Sequence, residues 1–431
     1  MSQSPNPPPS AWTLRLVPFS VATAFFLLMA GLYLGGERPL YYGIIRLWGV
    51  DPWPFPFLDT DTVMSALRCL RMGVDVFLAN PCDSLARVYD YSPLWLVLAR
   101  LPVTQAWLTP AGLAVDVTFL LSLLLLPAGR SRSAAAWIAI GVVSSPVLFA
   151  VERGNNDLVL FVLAVLAATL ACRSPALRLV GYGAALLAGL LKYYPITLLL
   201  LATRERPGRF FAVAMGAIVF AAIFVATMGY DLYRALHLIP SGAWFGSMFG
   251  SRVLPGGFSS ALKLPAVVQT ALQLILVAGA LAGGIRLSTR PWFTRDLSRL
   301  TAQEEATLLV GLLLILSCFF TAQNISYRAI HLLLVLPALT ALRHSGEGRR
   351  FHGAALLGVI ILLWSDAWRV GPDIAGGHST HPVLKPLGWT IRELTWWWVV
   401  TVLIGCAIVI LRRSTVAQDL LQRVPSYRKT S

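Results

Sequence analysis

Residues 55–67 read FPFLDTDTVMSAL and set two carboxylates, Asp59 and Asp61, in an otherwise apolar stretch. A carboxyl partly withdrawn from water has a raised pKa and suits general-base work, whereas a carboxylate just before a helix serves as its cap. Three further polar turns interrupt apolar sequence. VERGNND (151–157) holds Glu152, Arg153, Asn155, Asn156 and Asp157, LKYYP holds Lys192, Tyr193 and Tyr194, and SYRAIH holds Arg328 and His331. Each has a plain structural reading: Glu152 pairs with Arg153 or Asp157, Lys192 snorkels beside its tyrosines, and His331 packs at an interface. Together they offer one base and three cations. Displacement at a sugar carbon with a phosphate leaving group needs that set, because phosphate leaves without a protonating acid and wants only cationic stabilisation. A glycosidase would need two carboxyl groups instead.

The elements that must position these residues are helices in lipid. The chain has 431 residues, 57% hydrophobic and 13% charged, with repeated apolar runs long enough to cross a bilayer. This predicts an all-α polytopic membrane protein of about 10–13 transmembrane helices. The formal charge of +15 resides in short arginine clusters between the runs (Arg130/Arg132, Arg173/Arg178, Arg204/Arg206/Arg209, Arg286 to Arg299, Arg343/Arg349/Arg350 and Arg412/Arg413). That is the positive-inside pattern and argues against nucleic acid as a partner. An amino terminus on the cytoplasmic side puts every cluster inside and all the polar turns outside. Residues 1–12 are then a disordered cytoplasmic tip ahead of an uncleaved signal anchor, 13–411 one integral membrane domain, and 412–431 a basic cytoplasmic tail.

The first outer loop, 36–104, contains Val63, Ala66, Leu67, Leu70 and Val74 at helical spacing, which predicts an amphipathic extracytoplasmic helix lying on the leaflet and starting near Thr62. Asp61 would cap that helix and Asp59 would stand outside it. Residues 177–203, broken by KYYP, predict a hairpin of two short helices. Cys69 and Cys82 share the first loop, where a disulfide is open, while Cys172, Cys318 and Cys406 read as packing residues. His378 and His381 have metal-ligand spacing but sit in a glycine-rich loop, so no metal is assigned.

These motifs resemble glycosyltransferase family 87, membrane enzymes with the C-type glycosyltransferase fold that use polyprenyl-phosphate-linked mannose. The family's Asp followed by a helix, then Gly and an aromatic, is similar to Asp59 through Ala66, Gly73, Asp75 and Phe77; its aromatic-Pro element resembles Tyr89, Tyr91 and Pro93. Its Arg-Gly-polar-Asn turn resembles Arg153, Gly154 and Asn155/Asn156, and its Lys-aromatic-Pro element Lys192, Tyr194 and Pro195. The likeness covers about residues 55–205. Beyond it, SYRAIHLLLVLP departs from the family's Ser-Trp and paired histidines, with Tyr327 standing for Trp and His331 matching only one His.

The resemblance implies an inverting hexosyltransferase of the bacterial inner membrane with an extracytoplasmic active site. Asp59 would be the base, and Asp61 or His331 a second acid/base. Arg153, Lys192 and Arg328 would hold the donor phosphate, and Asn155, Asn156, Tyr91 and Tyr194 would line the site. The partners implied are a polyprenyl-phosphate sugar, a lipid or glycan acceptor and membrane lipids, with no cofactor. Two other classes stay open: a transporter or flippase of lipid-linked sugars, for which Asp116 and Asp366 inside apolar runs would speak if unpaired, and an inactive assembly factor.

Overall fold

The computed structural model describes residues 10–239, 247–321, 324–369 and 384–423. Its first half runs α1 (Ala11–Leu34), α2 (Arg38–Leu47), α3 (Leu58–Arg71), α4 (Leu108–Ser122), α5 (Arg132–Val142), α6 (Ser145–Arg153), α7 (Asn156–Leu170) and α8 (Pro175–Lys192). Then follow α9 (Pro207–Leu238), α10 (Val253–Ala261), α11 (Ala266–Ser288), α12 (Pro291–Ser298) and α13 (Ala302–Thr321). The series ends with α14 (Leu336–Ser345), α15 (Arg349–Leu363), α16 (Ser365–Arg369), α17 (Leu384–Arg412) and α18 (Thr415–Arg423). Two short strands, β1 (Met248–Phe249) and β2 (Asn324–Ile325), pair antiparallel and tie the end of α13 to the segment after α9.

Among the described residues, seven helices are long and apolar enough to cross a bilayer, and an eighth span arises if α5 and α6, bent by 46°, count as one. The chain is a multi-pass membrane protein. The spans are fewer than the 10–13 expected because several apolar runs give shorter pieces: 156–172 the 15-residue α7, 195–203 a 3-10 segment, 328–342 a 3-10 segment followed by α14, and 353–369 the 15-residue α15 with α16. A span needs about 20 residues because each advances only ~1.5 Å along a helix. Of these pieces, α7 and the stretch 326–342 are largely buried by other helices, where irregular backbone is tolerated.

The centre of the molecule is formed by α13, whose apolar residues are buried nearly all round, packed against α14 and α17, which in turn meet α15; Leu357 of α15 and Leu387, Ile391 and Leu394 of α17 remain exposed on their outer faces. In contrast, α9 and α11 expose Phe211, Met215, Ile218, Phe220, Leu274 and Ile275 along their length. An apolar surface of that extent, on helices long enough to cross a bilayer, suits contact with lipid. The 32 residues of α9 give it a length of about 48 Å, more than the ~30 Å hydrocarbon core, so it projects beyond the membrane. There Arg234 donates to both oxygens of Asp75 at 2.6 Å and stacks on Phe77 and Tyr230, clamping the loop after α3.

The sequence places a helix near Thr62, resting on the leaflet. In the structure the helix starts at Leu58 and is buried within the protein, with Thr60 through Leu67 withdrawn from solvent on every side. Tyr89, Leu96 and Val103 from the chain that follows, with Ala235 of α9, cover the face that lipid was expected to meet. A disulfide joins Cys69 at the end of this helix to Cys82.

Residues 175–204 form the expected hairpin, but its second arm, Tyr194–Arg204, is a 3-10 helix. The arms approach so closely that a Cβ on Gly189 would lie 2.8 Å from the Ile196 Cα. Tyr193 takes a φ of +59° at the apex, and Pro195 supplies no N–H to continue the α-helix. The strain at Tyr193 is held because Lys192 and Tyr194, on either side, are each anchored to one carboxylate described below.

Arginine-rich segments gather at one end of the bundle. Arg130 pairs with Glu304, Arg178 and Arg209 with Glu205, Arg204 and Arg413 with Glu305, and Arg15 reaches Gln303. The helices α7, α8 and α13 run from that end to the opposite one, where the polar turns meet.

Candidate functional site

Phe57 determines how the site begins. Its φ of +69° is the left-handed conformation, unusual for a bulky residue and costing on the order of 1 kcal/mol or more. Two contacts compensate: the Phe57 N–H donates to the Glu152 carbonyl at 2.8 Å, and its ring fills the space that a side chain at Gly112 would occupy. The turn reverses the chain so that the helix starts at Leu58, which puts both Asp59 and Asp61 inside the first turn. The expected cap role of Asp61 is therefore overturned. Asp61 is fully buried, and its Oδ2 accepts from the Ser84 N–H at 3.2 Å and the Ser84 hydroxyl at 2.6 Å. Nor does it stand where a second acid/base would reach a substrate; it holds the 79–89 loop.

The second wall is the turn 152–157. Gly154 ends α6 with a φ of +54°, and a Cβ there would collide with the Thr60 hydroxyl, so glycine is required for both conformation and space. Thr60 donates to the Gly154 carbonyl at 2.8 Å, and this docking lays Asn155 against Asp59. Asn155 is the N-cap of α7: its Oδ1 accepts from the Asp157 N–H at 2.8 Å, which leaves its Nδ2 to donate to Asp59 Oδ2 at 2.5 Å. Asn156, beside it, is buried with its Nδ2 unpartnered among the described residues.

Asp59 keeps a small opening to solvent, its side chain being 13% exposed. Burial pushes its carboxyl above the usual aspartate range, against the opposing pull of the Asn155 hydrogen bond and the positive charges of Arg153, Arg87 and Lys192. Arg87 is a site residue that motif reading missed. Its guanidinium lies 3.9 Å from Asp59 and donates to Asp83 at 2.9 and 3.1 Å and to the Leu58 carbonyl at 3.0 Å. Burial opposes ionisation of Asp83, but its hydrogen bonds from Arg87 and Leu85 outweigh this and hold its carboxyl below the usual range. The Cys69–Cys82 bridge and the Asp61–Ser84 bonds fix the loop that delivers Arg87.

Asp157 is the second centre, and it had figured in the sequence only as one polar group in a crowded turn. Fully buried, it accepts from Lys192 Nζ at 2.6 Å and from the Tyr194 hydroxyl at 2.6 Å, with Arg328 Nε at 3.7 Å. Since Tyr194 gives its one proton to Asp157, the 2.8 Å contact between Tyr194 and His331 Nε2 has the histidine as donor. His331 is fully buried behind this pair, and its Nδ1 has no partner among the described residues. Arg328 also donates to Asn324 Oδ1 at 2.6 Å, and Lys192 lies over the rings of Tyr91 and Tyr327 at 5.9 and 5.6 Å. Two cations thus share one carboxylate, which leaves a positive excess next to Asp59.

Arg153 follows the plain reading. It pairs with Glu152 at 2.8 Å, donates to the Asp51 carbonyl at 2.9 Å and stacks on Trp53 and Phe149. Of the two aspartates within apolar runs, Asp366 pairs with Arg369 at 3.1 Å, while Asp116 sits near the middle of a membrane-spanning helix, its Oδ1 unpartnered among the described residues. No group of three His, Cys, Asp or Glu side chains among the described residues is placed to hold a metal ion, and His378 and His381 lie outside them.

The structure therefore brings Asp59, Asn155, Lys192, Tyr194, Arg328, His331 and Tyr91 into one neighbourhood from α3, the chain that follows it, the 152–157 turn, the hairpin apex and the segment after β2. It commits Arg153 to Glu152 and removes Asp61. Comparison with family models, with curated proteins and with solved structures finds no match for the chain.

Proposed function

We propose that this protein is a membrane glycosyltransferase of the family 87 kind. It transfers a hexose, in the first instance mannose, from a polyprenyl-phosphate donor to a hydroxyl of a lipid or glycan acceptor with inversion, on the side of the membrane away from the arginine clusters. The observation that supports this reading most is a partly open, desolvated Asp59 held by Asn155 beside the positive excess of Lys192 and Arg328 on Asp157. Asp59 removes the acceptor proton as the acceptor oxygen attacks the anomeric carbon. The bond to the phosphate breaks on the opposite face, and the departing dianion is met by Arg328, with Lys192 able to turn from Asp157 toward it. Tyr91 and Tyr327 wall the space over Lys192, and the polyprenyl chain lies between spans.

The test is transfer by the purified protein from polyprenyl-phosphate sugars to lipid-extract acceptors, wild type against Asp59→Asn. Transfer by wild type and none by the variant supports the reading; equal transfer by both removes Asp59 from the role of base.

Asp116 favours a second reading, transport of a lipid-linked sugar, because a buried carboxyl without a partner at mid-span is a feature of proton or substrate pathways. Under that reading Asp116→Asn abolishes movement of a lipid-linked sugar across proteoliposomes, and neither wild type nor variant transfers sugar.

A further inference from the structure

In the arginine clusters Arg130, Arg178, Arg204, Arg209, Arg295, Arg299 and Arg413 are matched to carboxylates, and three of those that are not share one cleft. Arg343, in the last turn of α14, and Arg349 and Arg350, in the first turn of α15, line a cleft of about 470 Å³ with Trp137, Gly353 and Leu357. Among the described residues no carboxylate pairs with any of the three. The acidic groups nearest in the chain are already engaged. Glu347 is held by Arg295 at 2.7 Å and Arg299 at 3.3 Å, and Asp296 takes the N–H groups of Glu347 and Gly348 and the His352 ring. Arg343 lies over the indole of Trp137 at 5.5 Å, which orients its guanidinium at the cleft wall. The start of α15 adds the positive end of its helix to the same place.

The cleft has a second character. One turn along α15 from Gly353 stands Leu357, 51% exposed, and one turn along α5 from Trp137 stands Ile140, 41% exposed. The cationic mouth therefore continues into exposed apolar surface. A soluble anion would use the first part and leave the second unused; a phospholipid uses both, its phosphate among the arginines and an acyl chain along Ile140 and Leu357. We propose that this cleft between α5, α14 and α15 is a binding site for an anionic phospholipid of the leaflet at the arginine-rich end. The inference is independent of the activity proposed for the opposite end.

Native mass spectrometry of the full chain, released from detergent and titrated with phosphatidylglycerol or phosphatidylcholine, tests it. Wild type is expected to retain phosphatidylglycerol at least 10-fold better than phosphatidylcholine. The variant Arg343→Gln/Arg349→Gln/Arg350→Gln is expected to lose that preference. A control triple, Arg286→Gln/Arg290→Gln/Arg412→Gln, removes equal charge from exposed positions outside the cleft and should keep it. The substituted arginines are all exposed, so size-exclusion profiles should be unchanged. Inorganic phosphate at millimolar concentration should not displace the lipid, and Leu357→Ser should weaken retention without altering the headgroup preference. Equal retention of the two lipids by wild type, equal loss in both triples, or displacement by inorganic phosphate would each overturn the proposal.

Discussion

The two ends of the bundle use the same side-chain types in opposite ways. At the arginine-rich end, Glu304, Glu205 and Glu347 meet Arg130, Arg178 and Arg295, whose side chains stay 27%, 27% and 58% exposed. Water still solvates those cations, and where the carboxylate is exposed as well, as in Arg295–Glu347, little is lost by forming the pair and little gained. At the Asp59 end three of the four cations are themselves withdrawn, Lys192 and Arg153 at 10% exposed and Arg328 at 19%, while Arg87 keeps 32%. A buried pair costs desolvation that its attraction barely offsets, yet removing one partner strands the other. A membrane protein that only needed stability could use apolar residues there. The contrast is what gives the Asp59 end its functional character, and it can be broken in graded ways.

The largest effect is expected from Asp59→Asn, which should reduce sugar transfer by about 100-fold or more, the usual contribution of a general base, with protein yield unchanged. Next, Lys192→Met leaves Asp157 with Arg328 at 3.7 Å and Tyr194, and should lower stability by about 3–5 kcal/mol in thermal unfolding in detergent. The double variant Lys192→Met/Asp157→Asn should recover part of that stability without recovering transfer.

A smaller effect sharpens the role of Asn155. Because burial holds Asp59 above the usual aspartate range, its basic form is lost at a higher pH than for an exposed aspartate, and the acid limb of the rate profile should lie correspondingly high. Asn155 opposes that shift by bonding the ionised form, so Asn155→Ala should move the acid limb further up. An unmoved limb would separate the hydrogen bond from the titration that governs rate. The smallest effect should come from the other end, where Arg295→Gln should leave both the unfolding temperature and transfer unchanged within error.

Much of the architecture was legible as apolar runs, because lipid requires about 20 consecutive apolar residues for each crossing. The count of crossings was less so. Burial among other helices lets α7 stay short, and hydropathy alone does not distinguish shelter by protein from contact with lipid. The hairpin was visible through Pro195, a local steric rule. Asp59 was singled out by spacing, although the reason given, that it precedes the helix, was wrong. The pattern DTV has the form of a cap and helix start, and the local rule yielded to Phe57, whose turn depends on the Glu152 carbonyl and on Gly112. Arg87 carried no local signal, since it reaches Asp59 only through the disulfide and Ser84.

What the sequence by itself determined is the set of helices and the segregation of arginines into clusters separate from the polar turns, because these follow from local periodicity and from charge relative to apolar length. The tertiary structure alone decided which charges cancel. It paired Glu152 with Arg153, gave Asp157 two cations, and left Asp59 held by an amide and half-approached by Arg87. The physical reason is that charge pairing depends on distances under 4 Å between residues as far apart in the chain as Asp157 and Arg328, whereas a helix needs only its own neighbours.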